Sequence, residues 1–335
     1  MSFLHSRNSS SYHLAFYLTL LFLCFLASIA YGTKQIPFGS VFSSFVSYNG
    51  SEEHVIIQTV RLPRAVIALA VGACLGVSGA IMQTLTRNPL ASPDLLGINH
   101  GAALGVVCSL FWMQTTSFAS HIWFAFLGAL LVVAIVYSLS SMGSTGMTPM
   151  KLTVAGACLS TLLVSITQAI LLLSERSFDE MRFWLAGSVS GRDIGQFADV
   201  LPFMIAALAL AILLSKKLEV LHMGDDVAKG LGQKTVMVKA VSLLVIVLAA
   251  GSAVSIAGPI SFIGVAVPHL AKAIAGTNTR LIFVYSAIFG STLLLLADTG
   301  ARFVLYPQDV HVGIMTAILG APFFIYMARK KAWKL

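Results

Sequence analysis

Long apolar runs separated by short polar segments dominate the chain, and their spacing predicts membrane-spanning helices. Such a helix needs ~20 mostly apolar residues. Leu14 to Tyr31 is the first run, and Ala65 to Thr86, without a charge, the second. No charged side chain falls between Asp94 and Lys151. That stretch holds two spans, 97–113 and 120–140, with Gln114 to His121 as the polar break. Leu152 to Ser174 is the fifth, and Val200 to Ser215 the core of the sixth. Ala240 to Ala271 is uncharged, longer than one span, and interrupted at Gly258-Pro259. It divides into a seventh span at 239–257 and a short eighth at 260–274. Leu281 to Ala297 and Val310 to Ala328 are the ninth and tenth. The pattern predicts an all-α integral membrane protein of about ten transmembrane helices, forming one transmembrane domain over 1–335.

Composition points the same way. Apolar residues make up 57% of the 335 positions and charged residues only 10%, against ~25% charged in soluble domains. The net charge of +8 forms no basic stripe interleaved with aromatics, so nucleic acid is not the partner. The basic residues instead cluster at the ends of apolar runs. With ten spans the termini share a side, which carries fourteen of the 21 Lys and Arg and four of the 13 Asp and Glu. The positive-inside rule places that side, and both termini, in the cytoplasm. The first run also has the marks of a secretory signal, with Arg7 ahead of it and Ser28-Ile29-Ala30 at its end. Cleavage there would leave the sidedness of the rest unchanged. Cys24, Cys74, Cys108 and Cys158 lie inside apolar runs with no CxxC pair, the pattern of small buried hydrophobes.

An internal echo links two spans. Gly72, Gly79, Ile81 and Pro89 recur at one constant offset as Gly251, Gly258, Ile260 and Pro268. The copies fall on spans two and seven, which run oppositely, the mark of an inverted-topology repeat. Ion-coupled secondary transporters, the alternative class, keep ionisable groups at membrane depth. Here Asp94, Asp199, Asp298 and Asp309 are all expected at or beyond span ends. The sequence has no phosphate-binding GxxxxGK[ST] loop and no HExxH helix. Gly72-Ala73-Cys74-Leu75-Gly76 lies mid-span, where glycines permit close helix packing. An enzymatic role is not expected, nor a cofactor or metal on this chain.

Three segments carry candidate function. Arg61-Leu62-Pro63-Arg64 opens the second span, with Pro63 suited to a first helical turn. Its arginines either anchor the helix or offer an exposed patch that grips carboxylates of an outside partner. Asn88 to Gly97, with two prolines, reads as a rigid turn. The longest inner loop, 216–239, predicts a short helix capped by Asp225 and Asp226 and ended by Gly230 and Gly232.

Taken together these segments resemble the FecCD-type permeases of ABC importers for iron–siderophores, haem and cobalamin. The matching stretches are RLPR at 61–64, VGACLGVSGAIMQTLTRNPLASPDLLGINHGA at 71–102, GDDVAKGLG at 224–232, AGPISFIGVAVPHLAK at 257–272, LLLADTGAR at 294–302 and VGIMTAILGAPFFIYM at 312–327. The resemblance implies a ten-helix subunit paired with an identical or homologous permease. Two ATPase subunits beneath it and an extracytoplasmic substrate-binding protein complete the implied assembly. It implies docking of that protein at Arg61, Arg64 and Arg302. It implies ATPase coupling through 219–232, including Met223, Gly224, Asp225, Ala228, Gly230, Leu231 and Gly232. It also implies a pathway along spans five and ten, with an inner gate near 141–150 that includes Ser144, Thr145 and Thr148. The implied cargo is a ferric siderophore, with haem and cobalamin as alternatives, moved across the cytoplasmic membrane of a bacterium. One stretch departs from the family. Pro307-Gln308-Asp309-Val310-His311-Val312-Gly313 carries Asp for the usual Glu and His311 for a proline, which predicts a looser turn before the tenth helix.

Overall fold

The computed structural model describes residues 3–113, 117–143, 146–306 and 308–332. Among these the structure is helical, apart from one isolated bridge between Leu305 and Gln308. Helix α1 (Phe3–Ala30) precedes the short α2 (Phe38–Val46) and α3 (Glu52–Ile56). A π turn at Ile57–Arg61 runs α3 into α4 (Leu62–Thr86). A 3-10 turn (Pro93–Leu96) leads to α5 (Ile98–Met113), then α6 (Phe118–Ser141), α7 (Pro149–Leu172) and α8 (Glu175–Leu185). Helix α9 (Ile194–Met223) ends at the short α10 (Asp225–Gly230). Helix α11 (Thr235–Ile246) passes through a π turn (Val247–Gly251) into α12 (Ser252–Ala257). Then come α13 (Ile263–Ala275), α14 (Thr279–Val304) and α15 (Val312–Ala332).

Every predicted apolar run lies on helix. Seven described helices are long and apolar enough to cross a membrane, and α5, α13 and the start of α15 are shorter apolar helices. Two boundaries differ from expectation. Helix α9 continues past Lys216 and Lys217 to Met223, so the first third of the expected inner loop is helical. Lysine is a good helix former, and the helix stops only where Gly224 takes φ +139°. The polar segment after the fifth run contains α8, which no predicted run covers. Ser174 caps it by accepting a hydrogen bond from the Ser177 amide at 3.2 Å, and Met181 and Trp184 turn inward.

Helix α4 is the buried axis of the bundle. Its glycines explain how neighbours approach so closely. A methyl group added at Gly72 would lie 2.4 Å from the Gly290 carbonyl oxygen on α14, and one at Gly79 only 2.0 Å from that of Gly264 on α13. Backbone therefore meets backbone, as small residues allow in membrane helices. Helices α5 and α6 cross the same way, with Gly101 and Gly128 face to face.

Contacts are exchanged between the two halves. Helix α4 packs on α13 and α14, while the second π turn and α12 pack on α5 and α6. Two inverted copies of one unit would produce this swap. Residue by residue the echo is shorter. Gly72 and Gly251 both sit at helix crossings, but Gly79 is mid-helix whereas Gly258, at φ +71°, ends α12.

Helix α1 is integrated into the bundle. Tyr17 packs edge-on against Phe289 and Tyr285 of α14 with ring centroids 4.8 and 5.9 Å away. The turn at 88–97 is as tight as its prolines suggest. Asn88 Oδ1 accepts from the Leu90 amide at 3.0 Å, and the Gly97 amide donates to the Asp94 carbonyl at 2.8 Å.

Candidate functional site

At one end of the bundle the structure brings Arg61, Arg64 and Arg302 together, but not as an exposed patch. They are only 4%, 7% and 2% exposed. Arg61 Nη1 donates to the carbonyls of Ile29 and Ala30 at 3.0 and 2.6 Å, and its Nη2 to that of Lys34. Arg302 Nη1 donates to the carbonyls of Ser28 and Tyr31 at 2.7 and 2.8 Å. The last carbonyls of a helix lack partners within it and carry the negative end of its dipole. Two arginines thus cap α1 and tie the first apolar segment to the segments that carry them.

Arg64 and Arg302 share one carboxylate. Arg64 Nε donates to Asp298 Oδ1 and Oδ2 at 3.0 and 2.9 Å, and Arg302 Nη2 to Oδ2 at 2.6 Å. Arg64 Nη1 also donates to Ser190 Oγ at 3.1 Å and Asp309 Oδ2 at 2.5 Å. The expected exposure of these three arginines is therefore corrected. Most of their donors are engaged within the fold; the buried Arg302 Nε has no hydrogen-bond partner among the described residues. Asp298 is corrected too. It lies within α14, at 1% exposure, rather than at the end of the predicted run. Two guanidinium groups let a carboxylate sit there. The Asp309–Arg64 pair also corrects the loosened turn. Asp309 is tied to α4, the Val310 amide donates to the Ala301 carbonyl at 3.2 Å, and His311 stacks on Phe183. Pro307 lies outside the described residues.

At the other end, the predicted coupling residues form a compact unit around α10. Gly224 occupies the N-cap position with no side-chain cap. Asp225 does not cap, contrary to expectation. Its carboxylate faces Lys239 of α11 in an ion pair and Arg87 at 3.3 Å. Two cations draw it away from the helix amides. Ala228 is the buried residue of α10. Gly230 faces open space, and Gly232 turns the chain at φ +77°. Met223 at the end of α9, Val227 within α10 and Leu231 just after it are exposed apolar side chains.

Lys239 connects this unit to the predicted gate. Its Nζ also donates to the Met147 carbonyl at 2.8 Å. Thr148 caps α7 by accepting from the Lys151 amide at 3.3 Å, and Lys151 Nζ donates to the carbonyls of Met142 and Gly146. Ser144 and Thr145 lie outside the described residues.

A model of the FecCD transport family matches residues 20–330. This chain belongs to that family. Among FecCD relatives, "Probable siderophore transport system permease protein YfiZ" of Bacillus subtilis (strain 168) is 48% identical over 91% of this chain and 92% of its own length. The Fe(3+)-citrate import system permease protein YfmD of the same organism is 40% identical over 97% of each chain. The fold matches a solved transporter described as of the metal-chelate ABC type, in an inward-facing conformation. The TM-score is 0.83 at 26% identity, covering 96% of this chain and 99% of that one.

Sequence reading of this FecCD chain named the residues of both ends but missed their partners. Asp298, Lys239 and Arg87 read as span-end charges. Their roles rest on contacts between distant segments, 234 positions apart for Asp298 with Arg64, 138 for Arg87 with Asp225 and 92 for Lys239 with Met147; the i,i+4 spacing of Asp298 and Arg302 was the one local signal. Arg192 was likewise counted only as a loop cation. It is partly buried at the wall of a cavity of about 510 Å³.

Proposed function

We propose that this chain is the membrane-spanning permease subunit of an ATP-driven importer of ferric chelates, working by alternating access in a bacterial cytoplasmic membrane. The observation that carries the reading is the uncovered face of α7. This helix is apolar and long enough to span, yet little of it is buried. Thr161, Ser165 and Gln168 lie exposed along it. Thr161 and Ser165 donate to carbonyls four residues back, at 3.0 Å each, so lipid could tolerate them. The Gln168 amide has more donors and acceptors than such a bond uses. Polar groups at membrane depth face a bundle interior or a water-filled cavity. The face therefore closes on a second permease subunit, identical or homologous, with the pathway between them. The names of the relatives, which refer to siderophore and ferric citrate, point to the cargo. Reconstitution with the ATPase and binding-protein partners in proteoliposomes tests the proposal. ATP-dependent uptake of radiolabelled ferric chelate is expected. Uptake driven by a proton or sodium gradient without ATPase would overturn it in favour of a secondary transporter.

Both termini and the 216–239 segment lie on the cytoplasmic side in this reading, by the charge bias. Ser177 is buried at 3% exposure, so the neighbouring Arg176 is the better labelling site. In a cysteine-free background, Glu52→Cys and Arg176→Cys should react with an impermeant thiol reagent on intact cells, and Lys234→Cys should not. Labelling at Lys234 would reverse the orientation.

The exposed apolar side chains Met223, Val227 and Leu231 fit an ATPase subunit docking at α10. A Cβ added at Gly230 meets nothing within 4 Å in this chain. Gly230→Trp should therefore leave this subunit's folding intact and uncouple ATP hydrolysis from transport. Normal ATP-driven transport by that variant would reduce the segment to a linker. A binding protein docking on the outer rim completes the assembly. The three buried arginines hold the rim's frame from beneath.

A further inference from the structure

The cavity of about 510 Å³ opens between α5, α6, α8 and the segment before α15, on the face that the charge bias places outside. Its size lies within the ~300–1,000 Å³ of small-molecule sites. Its walls mix aromatic surface, from Phe118, Phe183 and Trp184, with the polar groups of Arg192, His121 and His311. Glu180 and Asp309 also line it.

The charges of this lining are not equally spoken for. Asp309 accepts from Arg64 at 2.5 Å, and Glu180 pairs with Arg176 at 3.4 Å. Both carboxylates are thus met by arginines from outside the lining. Arg192 has no such partner. Its Nε donates to the Ser188 carbonyl at 3.2 Å, and its guanidinium lies 4.1 Å from the Phe118 ring centroid. Among the described residues, which include all 13 Asp and Glu of the chain, no carboxylate forms an ion pair with it. Burial pushes this arginine down to about 10. A desolvated cation without a counter-ion is costly to keep. An arginine held by an aromatic face keeps its planar fork ready for an oxyanion.

We propose that this cavity is an outer subsite for an anionic, oxygen-ligated metal chelate, with Arg192 as its charge-selecting group and the aromatic walls as its apolar contact. The inference rests on the importer reading and adds the charge class of its cargo. A carboxylate side chain from a docked protein would satisfy Arg192 but leave most of the cavity empty, which favours the chelate.

The test uses the permease–ATPase assembly in nanodiscs, without a binding protein. Equilibrium binding of radiolabelled ferric dicitrate is compared with that of an uncharged ferric trihydroxamate. Wild type should prefer the anionic chelate, and Arg192→Gln should weaken its binding at least ~10-fold, the scale of one lost charge-assisted interaction. Arg192→Lys, which keeps the charge, should retain part of the preference. Equal binding of both chelates by wild type overturns the inference without recourse to any variant. So does undiminished dicitrate binding by a monodisperse Arg192→Gln assembly. The importer reading fails separately, when the complete wild-type system takes up no chelate with ATP.

Discussion

Replacing Asp298 with alanine is expected to destabilise the protein by about 3–5 kcal/mol, because it leaves two buried guanidinium groups without their shared counter-ion. Asp298 is 1% exposed and takes three hydrogen bonds from Arg64 and Arg302. Those arginines also hold the C-terminal end of α1, the Ser190 loop and the segment before α15. The damage should therefore reach three elements, not one. The comparison that isolates the cause is Asp309→Ala. The Asp309 side chain is 30% exposed, and ion pairs open to solvent contribute only ~0.2–1 kcal/mol. Thermal unfolding of the detergent-solubilised protein should show a large drop in midpoint for Asp298→Ala and a small one for Asp309→Ala. Equal, small drops would show that the cluster is not the keystone of this end of the fold.

Lys239→Met is expected to lower the amount of chelate transported per ATP hydrolysed at least ~10-fold while hydrolysis itself continues. Lys239 touches both the predicted coupling segment, at Asp225, and the predicted gate loop, at the Met147 carbonyl. Its side chain is 8% exposed, so water screens these contacts little. A hydrogen bond to a charged group contributes ~1.5–3 kcal/mol, which corresponds to a tenfold or greater change in how firmly the two segments move together. Methionine preserves the apolar stem and removes the link. Asp225→Asn should act in the same direction but less strongly, because the Met147 contact survives. A Lys239→Met assembly with the wild-type ratio of transport to hydrolysis would show that the signal passes elsewhere.

The chain's own pattern disclosed its solvent, its helices and its family. An apolar run of span length excludes water wherever it sits, so α4, α6, α7 and α14 were legible without neighbours. The prolines and glycines of 88–97 dictate a turn for local reasons too, and Gly232 does the same after α10, whereas Gly230 is still helical. Helix α8 was harder to see. It is short and amphipathic, and its apolar side counts for little until Met181 and Trp184 find a surface to cover. The arginines went furthest astray. A guanidinium beside an apolar run looks alike in sequence whether it faces water or a carboxylate. For Arg64 that carboxylate, Asp298, lies 234 positions away.

The sequence by itself determined where the chain can leave water, which long apolar segments are helical and which surfaces could be cytoplasmic, because hydrophobicity and charge bias act over a few residues. Tertiary structure alone decided which charges are neutralised. It buried Asp298 between two arginines, turned Asp225 from a helix cap into the partner of Lys239, and left Arg192 beside a cavity without a counter-ion. Electrostatic energy depends on distance and local dielectric, and neither exists until distant helices pack.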